Sequence, residues 1–477
     1  MSNQERKTSL AVIGAGPGGY AAAFLAADLG MEVTLIDPEK RPGGVCLYRG
    51  CIPTKALLHA CSVRREIDRS KQWGLKAENV SIDLDSLRQW KESVVKKLTG
   101  GLGQLVSKRK IDYIRGRARF LDPHSLEVTT TEKETQKLAF DHAIIATGSY
   151  PTHPKGLPEH SKRVMNSEEA LNIEDIPESL LVIGGGYIGL ELGTVYATLG
   201  SKVSIVEMMP QLMPGSDADL IKAYMKGGGN VFENIYTETT AEIKEKKGRL
   251  HATLKNGKEK KAVSFDKVLV TVGRKALTRN LGLENTGVET DDKGFVLVDE
   301  QRRTQEESIY AIGDVTGPPL LAHKATHEGR VAVEAIDGRA AAFDPHAIPS
   351  VEYTDPEIAW CGMTQKEAEE KGINVEVSAF PWAASGRAAT LGRAEGITKL
   401  VFDSDSRRII GAGIVGADAG ELISETTLAI EMAARDGDLA MTIHPHPTLS
   451  ETIMEAAEAY QGSATDIYRP KKMLSKR

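Results

Sequence analysis

The chain is short of the features that mark several classes of protein. Four cysteines in 477 residues cannot form a disulfide framework. Aromatic residues make up only 5% of the chain, and no basic cluster accompanies its net charge of −6, which argues against nucleic acid as a partner. There is no run of about 18 apolar residues, the length needed to span a membrane. The first residues, Met1 to Thr8, lack both the apolar stretch of a secretory signal and the arginine-rich pattern of a transit peptide. These absences point to a reducing compartment, the cytoplasm. A metal site is not expected either, because the densest cysteine pair has only His59 and Cys61 nearby.

What is present is apolar content of 41%, enough for sizeable cores in roughly three domains. The 46 glycines fall at strand-to-helix turns rather than in low-complexity runs. The first apolar strand, Leu10 to Ile13, runs into Gly14-Ala15-Gly16-Pro17-Gly18-Gly19 and a helix from Tyr20 to Leu29. A second strand, Glu32 to Ile36, ends in Asp37, 23 residues after Gly14. This is a dinucleotide fingerprint in its full context. Gly14 makes the tight turn, Gly16 admits the pyrophosphate, Gly19 lets helix pack on strand, and Asp37 accepts from ribose hydroxyls.

The pattern recurs. Leu180 to Ile183 leads into Gly184-Gly185-Gly186-Tyr187-Ile188-Gly189, a helix from Leu190 to Leu199, and a strand Lys202 to Val206 closed by Glu207, again 23 residues on. Two fingerprints imply two dinucleotides. Glu207 meets a free 2′-hydroxyl well and a 2′-phosphate badly, and no arginine follows before Arg249, so NAD is favoured over NADP.

Cys46 and Cys51 stand five positions apart on what reads as the start of a helix, flanked by Gly43, Gly44 and Gly50. A close thiol pair without a secretory signal reads as redox-active, cycling between disulfide and dithiol by thiolate attack. Such a pair exchanges two electrons with nicotinamide most simply through a flavin, so one dinucleotide is expected to be FAD. Asp314, at the end of the strand-like Ile309-Tyr310-Ala311-Ile312-Gly313, is placed to bond the flavin's sugar-alcohol chain.

Both fingerprints, Cys46-x4-Cys51, Ala146-Thr147-Gly148, Gly313-Asp314 and His446-Pro447 together resemble the flavin-dependent pyridine nucleotide–disulfide oxidoreductases, over essentially the whole chain. Gly-Gly-Val-Cys-Leu at Gly43, Cys-Ile-Pro-Thr-Lys at Cys51, Gly-Leu-Glu-Leu-Gly at Gly189 and His-Pro-His-Pro-Thr-Leu-Ser-Glu at His444 are most similar to the bacterial branch that oxidises dihydrolipoyl groups. The glutathione-reducing branch has arginines where this chain has Glu207-Met208-Met209, and the mercury-reducing branch has a C-terminal cysteine pair that is missing after Cys361.

The resemblance implies an α/β fold: two Rossmann-like dinucleotide-binding domains plus a C-terminal α+β dimerisation domain. It divides the chain into residues 1–150 (FAD domain with the redox disulfide), 151–278 (NAD domain), 279–347 (a segment completing the FAD site) and 348–477 (interface domain). It assigns Cys46 to interchange with the lipoyl sulfur and Cys51 to the flavin. The base comes from the partner subunit of a homodimer. The residues alone leave His444 and His446 open; the family pattern, a base directly before Pro-Thr, points to His446, oriented by Glu451. Lys55 is implied to lie near the flavin and to pair with Glu191. Further implied contacts are Gly44, Ala118, Thr147, Gly148 and Ala322 for FAD, and Gly186, Tyr187, Gly189 and Gly273 for NAD. The implied partners are lipoyl domains of 2-oxo acid dehydrogenase acyltransferase subunits and the glycine cleavage lipoyl protein. Other NAD-linked disulfide reductase or diaphorase activity, and a purely structural role in a multienzyme complex, are the alternatives.

The chain departs from the family pattern at three places. Tyr48-Arg49 stands between the redox cysteines, where Arg49 either favours the thiolates or pairs with a carboxylate. Gly227-Gly228-Gly229 interrupts a helical region, at a cost of roughly 1 kcal/mol per glycine. Arg274-Lys275-Ala276 follows Gly273 without the usual proline and asparagine, with no expected effect on the catalytic residues.

Overall fold

A computed structural model describes residues 6–158 and 161–468; residues 1–5 of the polar N-terminal stretch and 469–477 of the interface segment fall outside it. The first sheet places the strands Asp112–Asp122, Val33–Asp37, Arg6–Ile13, Thr135–Ile145 and Ile309–Ala311 side by side and parallel, with Ser125–Thr130 joining two of them antiparallel. Val33–Asp37 is buried at every position, as a strand covered on both faces must be. The helix Pro17–Asp28 buries Gly18, Gly19, Ala22, Ala23 and Ala26, small residues that let it lie close to the helix Ala322–Ile336.

The second sheet repeats the arrangement. The strands Asn234–Tyr236, Lys202–Val206, Ser179–Ile183, Lys267–Val270 and Val164–Met165 run parallel, and the helix Tyr187–Leu199 follows the glycine turn. The chain enters this unit through Ser149–Pro151 and leaves through Arg274–Ala276, and these two crossings pair with each other antiparallel. The third sheet, Ser350–Glu352, Glu357–Gly362, Ile409–Gly416, Ile397–Asp403 and Val375–Pro381, is antiparallel throughout and is covered by the helices Ala419–Glu431 and Glu451–Gln461. The fold is thus α/β, with two nucleotide-binding units and a C-terminal α+β unit.

Two local expectations change. The cysteines do not share one helix. Cys46 lies in Gly44–Arg49 and Cys51 opens Cys51–Arg69, with Gly50 at φ −146°, ψ −120° breaking the chain between them. A Cβ on Gly50 would lie 2.9 Å from the Val45 carbonyl oxygen, so only glycine lets the second helix start so close to the first. The glycine run at 227–229 does not weaken a continuing helix either; the helix Ala218–Gly227 ends there. A Cβ on Gly228 would lie 2.4 Å from the Asp355 carbonyl oxygen, and one on Gly227 2.6 Å from Glu395 Cγ. The run is therefore where the NAD unit meets the C-terminal unit at backbone distance.

Asp355 anchors the same junction. Its carboxylate, 10% exposed, takes ion pairs from Arg69 (2.6 Å) and Arg65 (3.1 Å) of the helix Cys51–Arg69, and from Arg393. Burial works against its charge, but the three arginines outweigh burial and hold the carboxyl below its usual range. A depressed carboxyl adds stability above its unfolded pKa and loses it as pH falls through the folded one. Asp355→Ala leaves three guanidinium groups without their shared anion and is expected to cost about 3 kcal/mol at neutral pH. Denaturant unfolding should show that deficit shrinking as the pH is lowered through the carboxylate range.

Candidate active site

A cavity of about 690 Å³ opens at the carboxyl ends of the first sheet's strands. This is where ligands sit in doubly wound sheets, and the volume is ample for one. The turn residues Gly14, Gly16, Gly19 and Asp37 line it, as do Gly44, Lys55, Ala118, Thr147, Gly148, Asp314 and Ala322 from other parts of the chain. Cys46 and Cys51 stand on the same wall.

The glycines show what the cavity is shaped for. Gly14 has φ +104°, and a Cβ there would be 2.3 Å from the Ala146 oxygen; a Cβ on Gly19 would be 1.9 Å from the Gly14 oxygen. Both are demanded by the protein's own backbone. Gly16 is different: the nearest atom to its added Cβ is Gly44 Cα at 3.9 Å. Protein packing does not require glycine at 16, so the open space beside it fits a ligand phosphate. The second turn divides in the same way. Gly184 (φ +108°) and Gly189 are hemmed in by backbone at 2.5 and 2.2 Å, while Gly186 has nothing within 4 Å.

Each turn is locked by its acid. Asp37 accepts from the N–H of Ala15 (2.8 Å) and of Glu39 (2.9 Å), and Glu207 accepts from the N–H of Gly185 (2.7 Å) and of Met209 (2.8 Å). These carboxylates therefore hold the turn in shape, with lone pairs remaining for a ribose. Of the second turn, only Tyr187 among the NAD candidates reaches the large cavity; Gly184, Gly186, Gly189, Glu207 and Gly273 lie off it.

The redox pair is free thiols here, hydrogen-bonded to each other. The hydrogen bond from Cys46 and the charge of Lys55 bring Cys51 below the usual thiol range against the opposing effect of burial. The same bond, with burial, pushes Cys46 up. Cys51 therefore ionises first. Lys55 Nζ holds both oxygens of Glu191, at 2.8 and 2.9 Å, and lies 4.5 Å from the centre of the Tyr353 ring. Glu191 also accepts from the Tyr353 N–H at 3.0 Å.

The two histidines separate. His444 is enclosed, its side chain 5% exposed, and bonds Glu425 at 2.8 Å. His446 is 80% exposed, its Nδ1 lies 2.9 Å from Glu451, and Glu451 is itself fixed by the Thr448 N–H at 2.7 Å. His446 is thus held at one nitrogen while its other edge stays open. Within one chain, His446 does not line the cavity that holds the cysteines.

Arg49 pairs with Glu39 at 2.6 Å and Glu168 at 3.5 Å, so its charge is spent on carboxylates. Arg274, expected to be neutral for the site, lines the cavity and donates to the Ser149 hydroxyl and carbonyl at 2.7 Å each; Ser149 in turn donates to Asp314. Its position beside Gly273 was visible in the sequence, but its reach across to Ser149 depends on the paired crossings. Tyr353 carried no signal at all.

The chain matches the pyridine nucleotide–disulphide oxidoreductase family over residues 8–329, and that family's dimerisation domain over residues 348–457. It belongs to this family: an NAD-dependent flavoprotein disulfide oxidoreductase with FAD and NAD as its cofactors. Among its relatives, the dihydrolipoyl dehydrogenase of Thermus scotoductus is 47% identical over 462 residues, 96% of this chain and 98% of the relative. That of Vibrio cholerae is 44% identical over 467 residues, 98% of each chain. Solved structures share the fold. The HOCl-induced flavoprotein disulfide reductase RclA from Escherichia coli, in its Cu(II) complex, has a TM-score of 0.84 at 26% identity, covering 95% of this chain and 99% of that one. LpdA from Mycobacterium tuberculosis has a TM-score of 0.88 at 24% identity, with the same coverage.

Two outcomes are expected. Gly16→Ala should fold normally but bind FAD weakly, whereas Gly19→Ala should lose about 3 kcal/mol or more of stability through overpacking against backbone; flavin content and thermal unfolding separate the two. Arg49→Val should leave the pH titration of the long-wavelength absorbance of the two-electron-reduced enzyme unchanged, because Glu39 and Glu168 already hold that charge.

Proposed function

We propose that this chain reoxidises protein-bound dihydrolipoyl groups to their cyclic disulfide and passes the electrons to NAD. The observation that carries the reading is the thiol pair Cys46–Cys51 on one cavity wall with the Lys55–Glu191 ion pair beside it. FAD, when bound, links the dithiol to the nicotinamide as a two-electron carrier. Everything else is the chain's own work.

A substrate thiolate attacks Cys46 of the oxidised pair, forming a mixed disulfide while Cys51 leaves as thiolate, the form its surroundings favour. The second substrate thiol loses its proton and displaces Cys46, closing the lipoyl ring and leaving the chain two electrons richer. The proton acceptor is the partner subunit's His446, held in one tautomer by that subunit's own Glu451. This requires a homodimer, which the family's dimerisation domain supports. Lys55 neutralises Glu191 and, lining the cavity that would hold FAD, would offer a cation to the negative charge of the reduced flavin. The working division is 1–150, 151–278, 279–347 and 348–477. The partners are lipoyl domains of 2-oxo acid dehydrogenase complexes and the glycine cleavage lipoyl protein, in the cytoplasm.

Three measurements test this. Rates with dihydrolipoamide, glutathione and thioredoxin should single out dihydrolipoamide; equal rates on glutathione would refute the substrate. NAD should be preferred over NADP by roughly a hundredfold or more, since Glu207 would face a phosphate with a buried charge. Mixing Cys46→Ser with His446→Ala chains, each inactive, should restore part of the activity through hybrid dimers with one intact site; no recovery after proven subunit exchange contradicts the shared site.

A further inference from the structure

Behind the Lys55–Glu191 pair lies a second glutamate to which no role has been given. Glu352 ends the strand Ser350–Glu352, opposite Ile358, and is 4% exposed. The next residue, Tyr353, bonds Glu191 through its N–H and lies under Lys55 through its ring, so the chain delivers Glu352 to the back of the ion pair. Its Oε2 is buried with no donor on it. The titratable and charged groups that act on it are Lys55 from the helix Cys51–Arg69, Tyr187 and Glu191 from Tyr187–Leu199, and Tyr224 from Ala218–Gly227.

Only one of these is a cation, and Lys55 has already given two short bonds to Glu191. An ionised Glu352 would be a second buried carboxylate sharing that single ammonium, with a buried oxygen that no protein donor reaches. A neutral acid removes the conflict. The direction from burial, reinforced by Glu191, agrees: Glu352 is pushed well above the ordinary carboxylate range.

We propose that Glu352 is a positioning residue that works as a neutral carboxylic acid, keeping the Lys55–Glu191–Glu352 group at zero net charge beside the cavity that takes the flavin. Its proton sets how much positive field Lys55 can offer there. When Glu352 ionises, the group becomes net negative, Lys55 is divided between two carboxylates, and electrons are harder to add on that side of the cavity. The pair Lys55–Glu191 thus carries a pH-dependent setting supplied by the C-terminal unit. The sign follows from linkage: while the proton is held, the reduced state is favoured, and that advantage fades as pH rises through the Glu352 titration.

This role rests on the flavoprotein reading above, so its test begins with a readout other than turnover. Infrared spectra of the holoenzyme at neutral pH should contain a protonated-carboxyl C=O band, sensitive to H/D exchange, that is missing in the difference from Glu352→Gln and from the apolar Glu352→Met. In holoenzyme, the two-electron midpoint potentials of wild type and Glu352→Gln should coincide near neutral pH. With rising pH the wild-type value should fall progressively below the variant's. Glu191→Gln should move that divergence to lower pH, because loss of the neighbouring negative charge and release of Lys55 both favour ionised Glu352; a divergence that stays where it was, or moves to higher pH, overturns the coupling. No band lost in either variant overturns the neutral acid. A band lost with superimposable potentials at every pH makes Glu352 merely structural and overturns the role. Failure on dihydrolipoamide with the band and the divergence intact would sink the substrate reading and leave this one standing.

Discussion

Glu191 is 2% exposed, and a carboxylate buried to that degree needs a cation. Lys55 supplies it, and the geometry of the whole site follows from where the two must meet. Lys55 comes from the helix that starts at Cys51, one turn after the reactive sulfur. Glu191 comes from the helix that starts at the second glycine turn. The Tyr353 N–H that completes the Glu191 coordination comes from the C-terminal unit. One ion pair therefore sets the position of the redox cysteines, the NAD turn and the interface sheet relative to one another.

The same economy is visible at the two nucleotide turns. In each, an acid at the end of the second strand bonds the N–H of the residue after the first glycine, and again the N–H two positions beyond itself. The carboxylate that is read as a ribose acceptor is first a clamp on the turn. Two of the glycines answer to backbone and one to open space, and the division is the same in both units. Function at these turns is carried by what is left out, and the protein's own packing explains the rest.

Much of this was legible without coordinates. Lys202–Val206 forms a strand with the expected limits, and the other fingerprint strands and helices differ from expectation by a few residues at their ends. The cavity-lining residues named from the first turn and from the family pattern share one cavity. What the sequence reading missed were contacts made in space, some local and some distant. The glycines at 227–229 look like a local helix defect, yet Gly228 faces the Asp355 backbone and Gly227 the Glu395 side chain at distances no Cβ would tolerate. Arg274 leaves the catalytic residues undisturbed, as expected, and its reach to Ser149 appears only once the two domain crossings pair.

Local chemistry in the sequence was enough to determine that this chain folds as two glycine-turn units around a dithiol, because those signals are short-range: a strand, a tight turn, a helix and an acid at fixed spacing. It could not determine charge state. Whether Arg49 acts on the thiols, which histidine is enclosed and which is open, and how one lysine is shared among carboxylates depend on partners that are tens to hundreds of positions away in the chain. Arg49 belongs to Glu39 and Glu168, His444 to Glu425, and Glu352 to a pocket walled by three helices. Coulomb energies and desolvation depend on distance and burial in space, and only the tertiary structure sets those.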